Sequence, residues 1–182
     1  AKIYYLTVTK PHLAVLMQRY LNRSFIVQVP SIKERLDVMT DYIPPTLDWV
    51  RKQVELYESS GGLEGYLLEG TDMPCVLITH KGVKTGAVRK IPVMRVEVDG
   101  NYVLIGSMGG QPKNPAWVAN LRAHPDVTVR DRTEVTSMRV REINDPQEKA
   151  KLWAAGVEAY PPYEEYQAKT SRVIPVFLAE PS

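Results

Sequence analysis

The stretch from Cys75 to Asn120 restricts the fold more than any other part of this chain. It reads CVLITHKGVKTGAVRKIPVMRVEVDGNYVLIGSMGGQPKNPAWVAN. An apolar strand leads into a short basic loop with two glycines. A hairpin follows, and a second glycine turn runs into the start of a helix. Asp99-Gly100-Asn101 marks the hairpin, because these residue types tolerate the positive φ of a tight turn. Lys81, Lys84, Arg89, Lys90 and Arg95 fall in the first half of the stretch, with no Asp or Glu among them. A cationic, glycine-bearing loop at a strand end suits a phosphorylated ligand, since backbone N–H groups and side-chain charge converge there.

On either side, hydrophobic spacing sets the rest of the architecture. After Pro11, the residues Leu13, Leu16, Met17, Tyr20 and Leu21 lie on one helical face. Ser31 to Glu34 resembles a capping box that opens a shorter helix, broken by Pro44-Pro45. Thr46 is placed to cap a third helix with Leu47, Val50, Val54 and Tyr57 along one stripe, ended by Gly61-Gly62. Ser59 to Gly65 then reads as a linker. Beyond it, strands are expected at Tyr66–Glu69, Pro74–His80, Ile91–Val98, Tyr102–Ser107, Val127–Arg130, Val135–Ile143 and Ile174–Ala179. Asn114-Pro115 is expected to cap a helix over 116–123, and Asp145-Pro146 one that runs to Ala159. Short, mostly antiparallel strands with a few helices predict a small β-barrel in an α+β domain over residues 63–182, with an N-terminal helical extension over 1–62.

Composition excludes several functions. The chain has 182 residues and a net charge of +2, so its positive charge is local, which favours a small anionic ligand over nucleic acid. Its single cysteine, Cys75, allows no internal disulfide, and lying in an apolar strand it reads as a buried, inert small side chain. His12, His80 and His124 show no zinc-like spacing, so no metal site is expected. There is no apolar run of about 18 residues and no signal-peptide pattern, which makes a cytoplasmic protein the expectation.

Gly82-Val83-Lys84-Thr85-Gly86 superficially resembles a P-loop. The motif's first glycine would fall at Ile78, however, and a strand follows rather than a helix, so nucleotide binding of that type is rejected. A plain charged hairpin loop is as good a reading on spacing alone. The second turn, Gly109-Gly110 with Lys113 and Asn114, tips the balance towards an anion site. Tyr160, Tyr163 and Tyr166 recur at three-residue intervals and share a face. Their spacing favours packing over a pocket wall. His80 and His124 read as structural, and no nucleophile triad or carboxylate pair stands out. Chemistry in such a chain would come from a bound cofactor.

The segments GVKTGAVRKIPVM, YVLIGSMGGQPKNPAWVANLRAHPDVTV and AYPPYEEYQAKTSRVIPVFLAEP closely resemble the deazaflavin-dependent nitroreductase family of actinobacteria, several of whose members are mycobacterial. The resemblance covers roughly Leu67 to Pro181, with the three motifs in order. It implies a split β-barrel that binds coenzyme F420 and, in its reduced form F420H2, passes a hydride to a quinone, an enone or a nitroaromatic. Position by position it implies that Lys84, Thr85 and Arg89 hold the cofactor's phosphate. Ile91, Pro92, Val93 and Met94 would run beside the deazaflavin ring. Ser107, Met108, Gly109 and Gly110 would form the second cofactor turn, with Lys113, Asn114, Trp117 and Asn120 at the helix entry. Tyr160, Tyr163 and Tyr166 would line the substrate pocket, which reverses the packing-first reading, and Met94 would border it. Tyr163, Tyr166 or Ser107 would polarise the substrate oxygen or donate a proton. Two positions depart from the family's pattern: Met108 stands where Lys is common, and Met94 where an aromatic residue is common.

Three rivals follow from the same residues. One is an F420-binding protein without catalysis, and another is an FMN enzyme of the wider split-barrel class. The third is an interaction module in which the helix from Pro11 to Leu21, with Arg19 and Arg23 nearby, docks on a membrane surface. Packing of that helix on the barrel or on a second subunit is favoured, and family analogy points to a homodimer.

Overall fold

The computed structural model describes residues 41–182. The amphipathic run from Pro11 and the capping-box helix from Ser31 lie outside the described residues. Helix α1 (Asp48–Ser59) comes first. Its N-cap is Leu47 rather than Thr46, with extended backbone and no side chain bonded to the first turn. Asp48 does that work electrostatically: it faces Lys52 at 2.8 Å and also pairs with Arg51, an acid placed at the helix's positive end. Leu47 therefore leaves the expected stripe and is exposed, while Val50, Val54 and Tyr57 are buried.

Seven strands form one antiparallel sheet: β1 (Cys75–Lys81), β2 (Val88–Met94), β3 (Glu97–Val98), β4 (Asn101–Ile105), β5 (Asp126–Asp131), β6 (Glu134–Glu142) and β7 (Val176–Pro181). Their order is β2-β1-β5-β6-β7-β4-β3. The sheet curls so that β2 approaches β4 without a ladder between them, which is the split of a split β-barrel. Helix α2 (Ala116–Ala123) follows β4, and helices α3 (Pro146–Ala159) and α4 (Pro162–Ala168) lie between β6 and β7.

Strand alternation assigns each core. Val76 and Ile78 of β1, Leu104 of β4 and Phe177 of β7 point into the barrel, which Trp117 and Leu121 of α2 help to fill. The intervening residues point outward. Cys75 and Leu77 pack against α1, whereas Val103, Ile105 and Val176 join the cluster that contains Leu152 of α3 and Tyr163 of α4. Cys75 is buried as expected, its thiol pushed up to about 12 by burial, with Gln53 Nε2 3.3 Å from the sulfur.

Two strand expectations need correction. Tyr66–Glu69 is not a strand but a loop with one bridge, Leu67 to Pro74. The side chain of Gln53 takes the place of a partner strand: its amide donates to the carbonyls of Gly65 (3.0 Å) and Leu67 (2.7 Å) and accepts from Glu69 N–H (3.1 Å). The single strand expected at Ile91–Val98 is divided into β2 and β3. Arg95 N–H bonds Pro74 O and Val103 N–H bonds Val96 O, so the chain bends there from one neighbour to another. The Asp99-Gly100 turn stands as read, with φ of 53° and 79°.

Tyr57 ties α1 to the sheet. Its hydroxyl accepts from Arg132 N–H at 2.8 Å and lies 3.2 Å from Cys75 O. Tyr57→Phe would leave that N–H without its acceptor, and we expect a loss of about 1–3 kcal/mol in urea unfolding. An unchanged midpoint would show that the bond contributes nothing.

Candidate functional site

The β1–β2 loop is built by its own backbone. Gly82 N–H donates to Ala87 O and Gly86 N–H to Gly82 O, both at 2.8 Å. Thr85 Oγ1 accepts from Ala87 N–H at 3.2 Å, so its side chain shapes the loop from within. Val83 N–H donates to Asn120 Oδ1 at 2.9 Å, and the Asn120 amide nitrogen lies 3.5 Å from His80 Nδ1. Asn120 thus fastens the loop to α2. His80 is buried, and burial lowers its pKa from the ordinary value of 6.5.

The five cations of this region separate by strand geometry. Arg89 stands opposite His80 across the ladder, on the same side of the sheet. Lys90, one residue on, points the other way and pairs with Glu58 of α1. Arg95 binds Asp131 at 2.6 Å. Lys81, Lys84 and Arg89 pair with no carboxylate among the described residues, and Lys84 is exposed. The charge left for a ligand is therefore Lys81, Lys84 and Arg89, smaller than the sequence count of five.

The second turn has unusual backbone. Ser107 is buried at the end of β4, and then Met108, Gly109 and Gly110 take φ of 48°, 64° and 77°. Gly110 N–H closes on Ser107 O at 3.0 Å, while the N–H groups of Met108 and Gly109 have no acceptor among the described residues. Gly110 allows a close approach as well as a left-handed backbone. A Cβ there would lie 2.6 Å from Tyr166 O, so α4 sits directly on the turn. Asn114 is not the helix cap expected from sequence: Pro115 is, with no side-chain bond. Instead, Arg172 Nη1 donates to the side-chain oxygen Asn114 Oδ1 at 2.6 Å. Lys113 is exposed next to it.

The tyrosines gather in one packed cluster that also holds Ile105 and Leu152. Tyr160 and Tyr166 share a hydroxyl–hydroxyl contact of 3.1 Å, and the Tyr163 ring stands edge-on to both, with centroids at 5.1 and 6.3 Å. Tyr163 itself is buried, whereas Tyr160 and Tyr166 are half-buried. The Tyr160 hydroxyl is pushed up to about 12, first by its bond to Tyr166 and then by burial, and burial raises Tyr163 too. Met94 packs against the same cluster, while Ile91 and Val93 pack into the barrel interior. Pro92 and Trp117 are buried, Trp117 against Phe177.

Two ends result. From Arg89 to Met94 the strand β2 runs about 17 Å at ordinary strand rise. One end carries the cationic loop, and the other borders the tyrosines, which adjoin the Ser107–Gly110 turn. A cavity of about 370 Å³ opens at the base of the loop, beside His80, Lys81 and Val88, away from the tyrosines. Arg172 escaped the sequence reading. Its only sequence signal is a lone arginine without a neighbouring acid between Thr170 and Pro175.

Residues 49–181 match the family model described as F420H(2)-dependent quinone reductase. An F420H(2)-dependent quinone reductase of Mycobacterium tuberculosis (strain ATCC 25618 / H37Rv) is 34% identical over 127 residues, covering 68% of this chain and 83% of the relative. A solved F420-H2 dependent reductase (FDR-A) aligns with a TM-score of 0.56 at 47% identity, over 59% of this chain and 94% of its own. A second solved chain, described as a domain-swapped dimer, aligns with a TM-score of 0.58 at 45% identity, over 73% and 98%.

Because burial favours neutral His80, the folded protein binds fewer protons here than the unfolded chain does between the lowered value and 6.5. The stability this contributes is complete above the unfolded value and is lost as pH falls through that window. We expect the urea-midpoint gap between wild type and His80→Gln to narrow from about pH 7.5 to about pH 5.5. A gap that stays constant would mean His80 titrates normally.

Proposed function

The chain belongs to the F420H(2)-dependent quinone reductase family, and from that premise we propose how its residues serve the reaction. It is an F420H2-dependent oxidoreductase with a quinone acceptor. Among the acceptor classes the sequence allowed, the family name selects the quinone. It also favours the deazaflavin over FMN, and an enzyme over a passive carrier.

The residues fit such a cofactor. Among the described residues, Lys84 and Arg89 lack carboxylate partners, and two N–H groups of the turn at 107–110 lack acceptors. A ligand with an anionic end and a ring system needs both kinds of donor at separate places, here the loop before β2 and the turn after β4. That separation is the observation that carries the proposal. In it, Lys84 and Arg89 hold the phosphate, with Thr85 and Asn120 fixing the loop behind them. Lys81, unpaired at the loop base, adds to the same field. Ser107, Met108, Gly109 and Gly110 face the ring end, with Lys113 and Asn114 supporting the turn. Trp117, Pro92, Ile91 and Val93 keep the strand and helix in place by packing.

When bound, reduced deazaflavin supplies a hydride. Reduction of a quinone then needs one proton in addition. Tyr160, whose hydroxyl stays protonated at neutral pH, and Tyr166, bonded to it, are placed to donate to the acceptor oxygen. Tyr163 lies behind them, and its proposed part is to set their rings. Met94, slimmer and more flexible than an aromatic side chain, is proposed to border the acceptor.

A homodimer is the proposed assembly, by analogy with the solved relative described as a domain-swapped dimer. Of the proposed extension over residues 1–62, α1 packs on β1, and an auxiliary role is proposed for the remainder, with docking at a membrane surface as the alternative. Among the described residues no helix is long and apolar enough to cross a membrane.

Fluorescence titration with coenzyme F420, with FMN in parallel, tests the site. Wild type should prefer the deazaflavin. Arg89→Ala should weaken that binding on the order of 10- to 100-fold, the value of one charge-assisted contact. Unchanged affinity in the variant would remove Arg89 from the phosphate site.

A further inference from the structure

Arg172 holds the second turn at both ends. Its Nε donates to Gln111 O at 2.8 Å and Nη1 to Asn114 Oδ1 at 2.6 Å. Nη2 donates to Gly106 O at 3.1 Å and to Ser107 O at 2.6 Å. All four acceptors are neutral, and no carboxylate among the described residues perturbs the guanidinium; burial alone lowers its pKa. This is an arginine spent on backbone shape rather than on an ion pair.

The bond to Ser107 O has a geometric consequence. In a trans peptide the C=O and N–H point in opposite directions, and no cis peptide occurs among the described residues. With the Ser107 carbonyl turned towards Arg172, the N–H of Met108 must point away from it. That N–H, and the next one at Gly109, have no acceptor among the described residues. Met108 meanwhile carries φ of 48°, a left-handed backbone that a residue with a side chain disfavours. Flipping the Ser107–Met108 peptide would carry the Met108 φ out of the left-handed region and reverse its N–H, and it would break the Gly110 N–H bond to Ser107 O. The Arg172 bond to Ser107 O adds to the Gly110 N–H bond to the same oxygen, and together they oppose that relief of the left-handed backbone.

We propose that Arg172 is a positioning residue: it locks the Ser107–Met108 peptide so that the adjacent N–H groups of Met108 and Gly109 are presented to an electron-rich part of the bound cofactor. The identity of that ligand rests on the F420H2 reading; the orientation of the peptide does not. A lysine could not substitute fully, because a single ammonium cannot reach the four acceptors that a planar guanidinium fork spans.

The test combines two readouts on Arg172→Ala, Arg172→Lys, Met108→Gly and the double variants. The HN–Hα coupling of Met108, measured by NMR, reports its φ, and fluorescence titration reports affinity for coenzyme F420. In Arg172→Ala the coupling should leave its left-handed value, and affinity should fall about tenfold or more, with Arg172→Lys restoring only part. In the Met108→Gly background, where a left-handed backbone carries no penalty, the same replacement should cost a smaller factor. A Met108 coupling that stays in place in Arg172→Ala would overturn the proposal, and so would an equal loss in both backgrounds. If Arg172→Ala does not fold, Arg172→Lys across the two backgrounds gives the same comparison. Failure of wild type to bind the deazaflavin would strike the cofactor reading instead, and the Met108 coupling would still decide the lock.

Discussion

Burial of both faces of the central strands is the constraint on which the rest depends. Along β1, Val76 and Ile78 enter the barrel while Cys75 and Leu77 meet α1. Along β7, Phe177 turns inward and Val176 and Leu178 turn to the helical layer. A strand packed on both sides has no face to spare for polar chemistry, since each buried polar group would need a partner. The polar groups proposed to act are therefore confined to strand ends and connections. The cationic loop after β1, the left-handed turn after β4 and the tyrosines of α4 all sit there.

The same packing explains how a chain of nearly balanced charge keeps a local cationic site. Carboxylates are not scarce in it; they are spent elsewhere. Glu58 takes Lys90, Asp131 takes Arg95, and Glu148 and Glu180 share Arg141. What distinguishes Arg89 from its neighbour Lys90 is the face of β2 that each occupies, not the residue type. Tyr102 adds its hydroxyl to Asp131 at 2.8 Å, which further commits that carboxylate to structure.

Features that depend on near neighbours were legible in the sequence. The Asp99-Gly100 turn and the Asp145 cap, whose carboxylate accepts Glu148 N–H at 2.8 Å, need only adjacent residues to act. Tyr160, Tyr163 and Tyr166 likewise recur three residues apart, and the packing that this spacing favoured needs only near neighbours. Features that depend on distant partners were not legible. Gln53 replaces a strand for Gly65 to Glu69, and nothing near either segment announces it. Asn114 has the composition of a helix cap, yet Arg172, far along the chain, claims its side chain. Lys90 and Arg95 looked available because Glu58 and Asp131 are remote in sequence. In each case a long-range hydrogen bond or ion pair overrode a correct local preference.

The edges of the sheet have a consequence for how this protein meets its own copies. Among the described residues β2 is one edge; Val88 at its start is already bridged to Tyr42, and Pro92 within it has no N–H to offer to an incoming strand. β3, the other edge, is two residues long. Exposed ladders are the usual template for runaway strand addition, and proline and short length are two of the ways in which they are blunted. At these two edges a crowded solution of this chain therefore has little to propagate from strand to strand.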